Sequence, residues 1–302
     1  MNPLRARLAS LELENPTMLA SGVMGETGGS LLEMARCGAG AVVTKSVGSE
    51  PRKGYPNPTL VELEEGYVNA MGLPNPGIEA FAAEMETARE CPVPIVASIF
   101  ASSPREFADL ARRMEGYGAS ALELNLSCPH AKGYGMEVGV DPEAVAAIVR
   151  EVKASTSLPV FAKLTPNTHR LVEVAQAVEG AGADGVVAIN TLRAMVISIE
   201  ARRPILSNRG GGLSGPAIKP VGVRCVYDLH AALDIPIIGV GGAETWRDVV
   251  EYIMAGASAV QVGSAVARRG SCVFKDIASG MSWFMRENGF RSIEEMVGVA
   301  HE

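Results

Sequence analysis

The chain has 302 residues, 47% of them hydrophobic and 20% charged, a globular composition that excludes a disordered tract or a coiled coil. Its formal net charge of −7 runs against a nucleic-acid binder, whose footprint is a basic excess. A chain of this length buries about 75% of its unfolded surface, so it needs no disulfide or metal staple.

Eight short apolar runs follow in chain order: residues 17–21 (TMLAS), 41–46 (AVVTKS), 94–98 (PIVAS), 119–125 (ASALELN), 159–163 (PVFAK), 184–190 (DGVVAIN), 236–240 (PIIGV) and 257–263 (ASAVQVG). Most are continuous rather than alternating, which marks strands of a parallel sheet buried on both faces. Helices are predicted between them. Ser103-Pro104-Arg105-Glu106, Asp141-Pro142-Glu143 and Thr245-Trp246-Arg247-Asp248 carry N-terminal cap signals, in the first case with a capping hydroxyl and a returning glutamate. Gly38-Ala39, Gly118-Ala119, Gly182-Ala183 and Gly256-Ala257 each stand between a helix and a strand, where glycine relieves a left-handed C-cap.

Eight alternating strand–helix units predict an α/β fold, a (β/α)8 TIM barrel, with a doubly wound open sheet as the runner-up. The first strand-to-helix turn, Ser21-Gly22-Val23-Met24-Gly25, lacks the GxGxxG fingerprint of the open-sheet alternative. Three connections, residues 47–77, 126–141 and 191–218, are long and follow strands. They are insertions on the C-terminal face, where barrel active sites sit. Residues 195–206 (MVISIEARRPIL) read as an added hairpin over the mouth. No linker divides the chain, so residues 1–302 read as one domain.

The five cysteines, Cys37, Cys91, Cys128, Cys225 and Cys272, form no CxxC or CxH pattern, so no metal site is expected, and their scatter suits a reducing cytoplasm. No apolar run approaches the 18 or so residues of a membrane span, and the N-terminus has no signal-length apolar core.

The strand ends carry the candidate chemistry. They are Ser21, Lys45-Ser46, Ser98, Asn125, Lys163, Asn190-Thr191, Gly241-Gly242 and Gly263-Ser264. A polar group at one strand end often only meets solvent, but a full ring converging on one mouth reads as a site. Glycines after the last two strands suit a phosphate, with a tight turn as the plain alternative. Lys45 and Lys163 suit an anion, a salt bridge across the mouth, or a Schiff base. Cys128, in a glycine-rich loop beyond strand four, could act as nucleophile or general base, with His130 to assist, where a buried structural cysteine is the usual reading.

These residues carry a family resemblance. Asn69-Ala70-Met71-Gly72-Leu73-Pro74-Asn75, Glu123-Leu124-Asn125-Leu126-Ser127-Cys128-Pro129, residues 210–220 (GGGLSGPAIKP) and residues 237–242 (IIGVGG) resemble dihydroorotate dehydrogenase, over about residues 4–290. The resemblance implies FMN-dependent oxidation of dihydroorotate to orotate in pyrimidine biosynthesis. It implies FMN contacts from Ser21, Lys45, Ser46, Ser98, Asn125, Lys163, Ile189, Gly215, Gly241, Gly242, Gly263 and Ser264. It implies substrate contacts from Lys45, Asn69, Ala70, Met71, Gly72, Leu73, Asn125, Asn190 and Thr191. Cys128 takes the place of the catalytic base of the soluble class, with Lys163 as the second catalytic group. Family members commonly carry asparagine where this chain has Ser98, and serine reaches less far.

Within the soluble class the loop after Cys128 looks like the NAD-linked catalytic subunit. That implies a homodimeric core of a heterotetramer, with FAD and a [2Fe–2S] cluster on a partner subunit. Other readings stay open at this point: the fumarate-using homodimeric enzyme, a Schiff-base lyase, a binding scaffold without chemistry, and a flavin barrel acting on RNA dihydrouridine, which the acidic balance opposes.

Overall fold

The structure, a computed structural model, describes residues 2–126 and 138–301. The eight apolar runs form eight parallel strands: Thr17–Leu19, Ala41–Val43, Ile95–Ile99, Ala121–Asn125, Val160–Lys163, Gly185–Ala188, Ile237–Val240 and Ala259–Val262. Each pairs with the next, and the eighth pairs with the first, so the sheet closes into a barrel. Closure removes the open-sheet alternative. Strands five, six and eight are buried along their whole length, because one face fills the barrel and the other lies under helices. That is why these strands are mainly apolar, with Lys163 and Gln261 as the polar exceptions.

The cap signals act largely as read. Ser103 Oγ accepts from the Glu106 amide at 3.3 Å, and Thr245 and Asp248 form the full reciprocal box. The Glu106 carboxylate does not return to Ser103. It takes the amide and hydroxyl of Ser102 and the hydroxyl of Ser49, which ties the loop after strand two to the third-strand helix, Pro104–Gly116. The four Gly-Ala junctions have φ of 102°, 89°, 92° and 117°, the left-handed turn expected of them.

Two features were not legible. Ala6–Leu8 and Leu11–Leu13 pair as an antiparallel hairpin before strand one, and Leu8 and Leu13 enter the main core. The loops after strands two and six also build one sheet between them. Leu192–Ala194, Gly211–Ser214, Gly66–Asn69 and Leu60–Leu63 pair antiparallel in that order. Val68, Ala70 and Leu206 form a small separate core beneath it. The added hairpin expected in residues 195–206 is present as Ile197–Ser198 paired with Arg203–Pro204.

Candidate active site

A cavity of about 440 Å³ opens at the C-terminal ends of the barrel strands. Its wall is the ring of strand ends: Ser21, Lys45 and Ser46, Asn125, Lys163, Asn190 and Thr191, then the glycines of strands seven and eight. Tyr67, Asn69 and Ser214, from the four-stranded sheet, line it from the loop side. The placement follows from the strands themselves. Most strand positions are apolar where they pack, and polar or glycine residues gather at the C-terminal ends.

Beneath the cavity lies a buried polar network drawn from six of the strands or their ends. Lys163 Nζ donates to Glu123 Oε1 at 3.3 Å and to Gln261 Oε1 at 3.1 Å. The Gln261 amide donates in turn to Glu123 Oε2 at 2.6 Å. Glu123 is wholly buried and Gln261 nearly so. A second chain of bonds reaches the same carboxylate. Asn125 Nδ2 donates to Ser46 Oγ at 3.1 Å, Ser46 and Ser98 share a 2.8 Å bond, and Ser98 donates to Glu123 Oε1 at 3.4 Å. Ser21 Oγ lies 3.4 Å from Ser46 Oγ. Every buried side-chain polar atom of this set has a partner, as burial requires.

Lys45 is nearly buried, and its Nζ pairs at 3.0 Å with Glu26 Oε1, a carboxylate mostly in solvent. An anion entering the cavity meets an ammonium whose protein partner is exposed and easily displaced.

The glycine loops form the other end. A Cβ on Gly242, whose φ is 69°, would stand 2.5 Å from the Gly215 carbonyl oxygen, so two backbones meet there with no room for a side chain. Lys219 braces this end through Asp248 at 2.8 Å and Glu251 at 2.6 Å. Burial pushes the Asp248 carboxyl up, but bonds from Lys219, Thr245 and two backbone amides outweigh it and hold it below its usual range.

The sequence model of the family described as dihydroorotate dehydrogenase matches residues 3–285. The chain belongs to the dihydroorotate dehydrogenase family. A protein of Pyrococcus abyssi named dihydroorotate dehydrogenase B (NAD(+)), catalytic subunit, is 54% identical over 297 residues, covering 98% of this chain and 99% of that protein. Proteins of the same name from Thermoplasma acidophilum and Methanocella arvoryzae are each 53% identical, covering 99% and 96% of this chain and 99% and 95% of their own. The crystal structure of DHODH in complex with ferulenol from Eimeria tenella superposes with a TM-score of 0.85 at 21% identity, covering 100% of this chain and 89% of that one. At that identity the likeness is one of fold.

Against this family's pattern, most of the expected residues meet in the one cavity: Ser21, Lys45, Ser46, Asn125, Lys163, Ile189, Gly215, Gly241, Gly242, Gly263 and Ser264, with Asn69, Met71, Leu73, Asn190 and Thr191. Three expected contacts are not on its wall. Ser98 is fully buried behind Ser46, because its short side chain stops a layer below the mouth. Ala70 packs in the small core under the four-stranded sheet. Gly72 lies against the Tyr55 backbone, where a Cβ would meet the amide nitrogen at 2.8 Å. Cys128 and His130 lie outside the described residues.

Glu123, Gln261, Glu26 and Tyr67 were missed. Two had a signal. Glu123 and Gln261 are polar residues at buried positions inside mainly apolar strands, and Glu123 shares the parity of Asn125 two residues on.

Proposed function

We propose that this chain oxidises (S)-dihydroorotate to orotate with FMN held in the barrel-mouth cavity, as the catalytic subunit of an NAD-linked enzyme. The observation that carries it is the joining of Lys45, Asn69, Asn125, Lys163 and Asn190 with the strand-seven and strand-eight glycines in one cavity, in a chain about half identical to named catalytic subunits. The cavity falls in the size range of cofactor sites, roughly 300–1,000 Å³.

The donor set fits FMN. Bare backbone at Gly215, Gly242 and Gly263, with the Ser264 hydroxyl, would hold the phosphate. Lys45, Ser21 and Asn125 would meet the ring system from the strand ends, and Lys163 would face its pyrimidine edge. Bound FMN supplies the hydride acceptor.

The chain's own residues handle the substrate. Dihydroorotate is an amide ring bearing a carboxylate. Asn69, Asn125 and Asn190 each offer a donor and an acceptor to its amide edges and cannot titrate away. Lys45 and the turn at Met71–Leu73 suit the carboxylate. Cys128 takes the proton from C5 as the hydride leaves C6; a free thiol titrates near ~8.5, so the base is available close to neutral pH. Lys163 sets a positive charge where negative charge develops. Its Nζ is engaged by Glu123 and Gln261, which suits a fixed charge and does not favour a Schiff-base lyase, whose lysine must be a free amine.

Electrons must then leave. The two GxGxxG stretches of the sequence, residues 180–185 and 210–215, fall in a helix-to-strand turn and on the antiparallel strand Gly211–Ser214. Neither opens a helix after a strand, as a dinucleotide phosphate loop does. A partner subunit carrying FAD and a [2Fe–2S] cluster, docked on a dimer of this chain, would supply the route to NAD.

The deciding experiment is identification of the bound flavin, then anaerobic addition of dihydroorotate. Bleaching of an FMN spectrum supports the reading. A colourless protein that takes up no FMN, or a flavin that dihydroorotate leaves oxidised, refutes it.

A further inference from the structure

We propose that Glu123 is a positioning residue, which with Gln261 fixes the Lys163 ammonium at the floor of the cavity and directs its remaining N–H toward the bound ligand. The inference rests on the reading that FMN occupies this cavity.

The geometry carries it. Glu123 and Asn125 alternate on strand four and so face the barrel interior together. Asn125 stands at the rim and Glu123 one layer below it, fully buried. Both carboxylate oxygens are engaged: Oε1 takes Lys163 and Ser98, and Oε2 takes Gln261. Gln261 is oriented by its neighbours. Glu123 can only accept and Lys163 can only donate, so the amide nitrogen must face the carboxylate and the amide oxygen the ammonium. Lys163 has three N–H donors. Two go to Glu123 and Gln261, which leaves one for whatever fills the cavity that Lys163 lines.

Stability alone does not account for this arrangement. A buried ion pair in a barrel interior is commonly replaceable by apolar side chains at no loss. Its consequence here is functional: the lysine is held at a defined place by Glu123, which reaches the cavity wall beside it, and by Gln261 behind that wall. The Asn125–Ser46–Ser98 chain ends on the same side chain, at Oε1, an acceptor that Glu123→Gln retains, so the variant removes the charge beside Lys163 and leaves that chain its acceptor.

The test uses the full chain with Glu123→Gln, which keeps the shape and removes the charge. In the flavin-free protein, Lys163 acetylation by an N-hydroxysuccinimide ester is followed by peptide mass spectrometry, with exposed Lys53 as the internal reference. An amine held by two acceptors reacts slowly, so labelling of Lys163 relative to Lys53 should rise about tenfold or more in the variant. In the FMN-loaded protein, the flavin midpoint potential should shift in the same direction in Glu123→Gln as in Lys163→Ala. The double variant should be reduced by dihydroorotate no more slowly than Lys163→Ala alone, because a residue acting only through Lys163 has nothing left to position.

If circular dichroism shows Glu123→Gln unfolded, Gln261→Leu replaces it, with the same direction of change in labelling. Labelling unchanged in the folded variant, or slowing that adds to that of Lys163→Ala, overturns the proposal. A wild-type chain that binds no FMN overturns the cofactor reading, and the labelling result still decides the role of Glu123.

Discussion

The hydroxyl of Tyr252 donates a 2.7 Å hydrogen bond to the carbonyl oxygen of Gly241. Tyr252 is wholly buried on the helix Trp246–Met254, and it reaches back to the glycine pair that ends the strand before that helix. Burial pushes its phenol well above the usual range, so it remains a donor at any pH the fold survives. The bond joins a core side chain to the backbone of the candidate phosphate end.

Tyr252→Phe should therefore do two things. It should cost about 1 kcal/mol of stability, the net worth of one hydrogen bond. It should also weaken FMN retention, since Gly241-Gly242 loses its brace. Thermal melts and flavin titration read both effects. A variant that melts and binds as the wild type would show the bond to be idle.

Space around the same ring gives a second prediction, free of any functional assumption. A Cβ on Gly222 would lie 2.0 Å from the Tyr252 oxygen. Gly222→Ala must displace the helix or the ring, and overpacking of this kind costs about 1–3 kcal/mol. A chemical denaturation midpoint equal to wild type would contradict the packing described.

A pH effect is expected at the C-terminus. Burial, then the neighbouring His301, holds the His230 imidazole below its usual range. His301 stacks on Tyr227 with ring centroids 3.7 Å apart, lies 4.8 Å from His230 and bonds the Ala255 carbonyl, while Gly256 and Gly298 close on His230 from either side. A histidine with a depressed folded pKa binds more protons when unfolded. Its stabilisation is complete above about pH 6.5 and is lost as pH falls through the folded value. Melting temperature should drop between pH 7 and pH 5, and the drop should shrink in His230→Gln. An equal drop in both proteins assigns the effect to other groups.

Cys128→Ser should retain FMN and be reduced by dihydroorotate more slowly at neutral pH, by the ~10²–10⁴-fold typical of a lost general base. Stopped-flow bleaching measures it. Wild-type reduction by the serine variant would remove Cys128 from the role.

The purified chain alone should reduce artificial acceptors readily and NAD poorly, gaining NAD activity only with a partner subunit. Rapid NAD reduction by the isolated chain would contradict the proposed division of labour, and rapid fumarate reduction would move the chain to the homodimeric class.

The sequence by itself determined the barrel and most of the site wall. Strands buried on both faces are mainly apolar, so most of the eight stood out as continuous runs, and the residues that end them pointed to one mouth. The tertiary structure decided what depends on partners distant in the chain. Asn69 faces Gly212 across a sheet made of two loops 143 residues apart. Ser98 falls behind Ser46 instead of beside it. Glu123 meets Lys163, 40 residues on, and Gln261, 138 residues on. The N-terminal hairpin, with strands of three residues, is too short for alternation to stand out. Periodicity is a local property and is written in the order of residues. The pairing of buried polar groups is set only when the barrel closes and brings their strands to one depth.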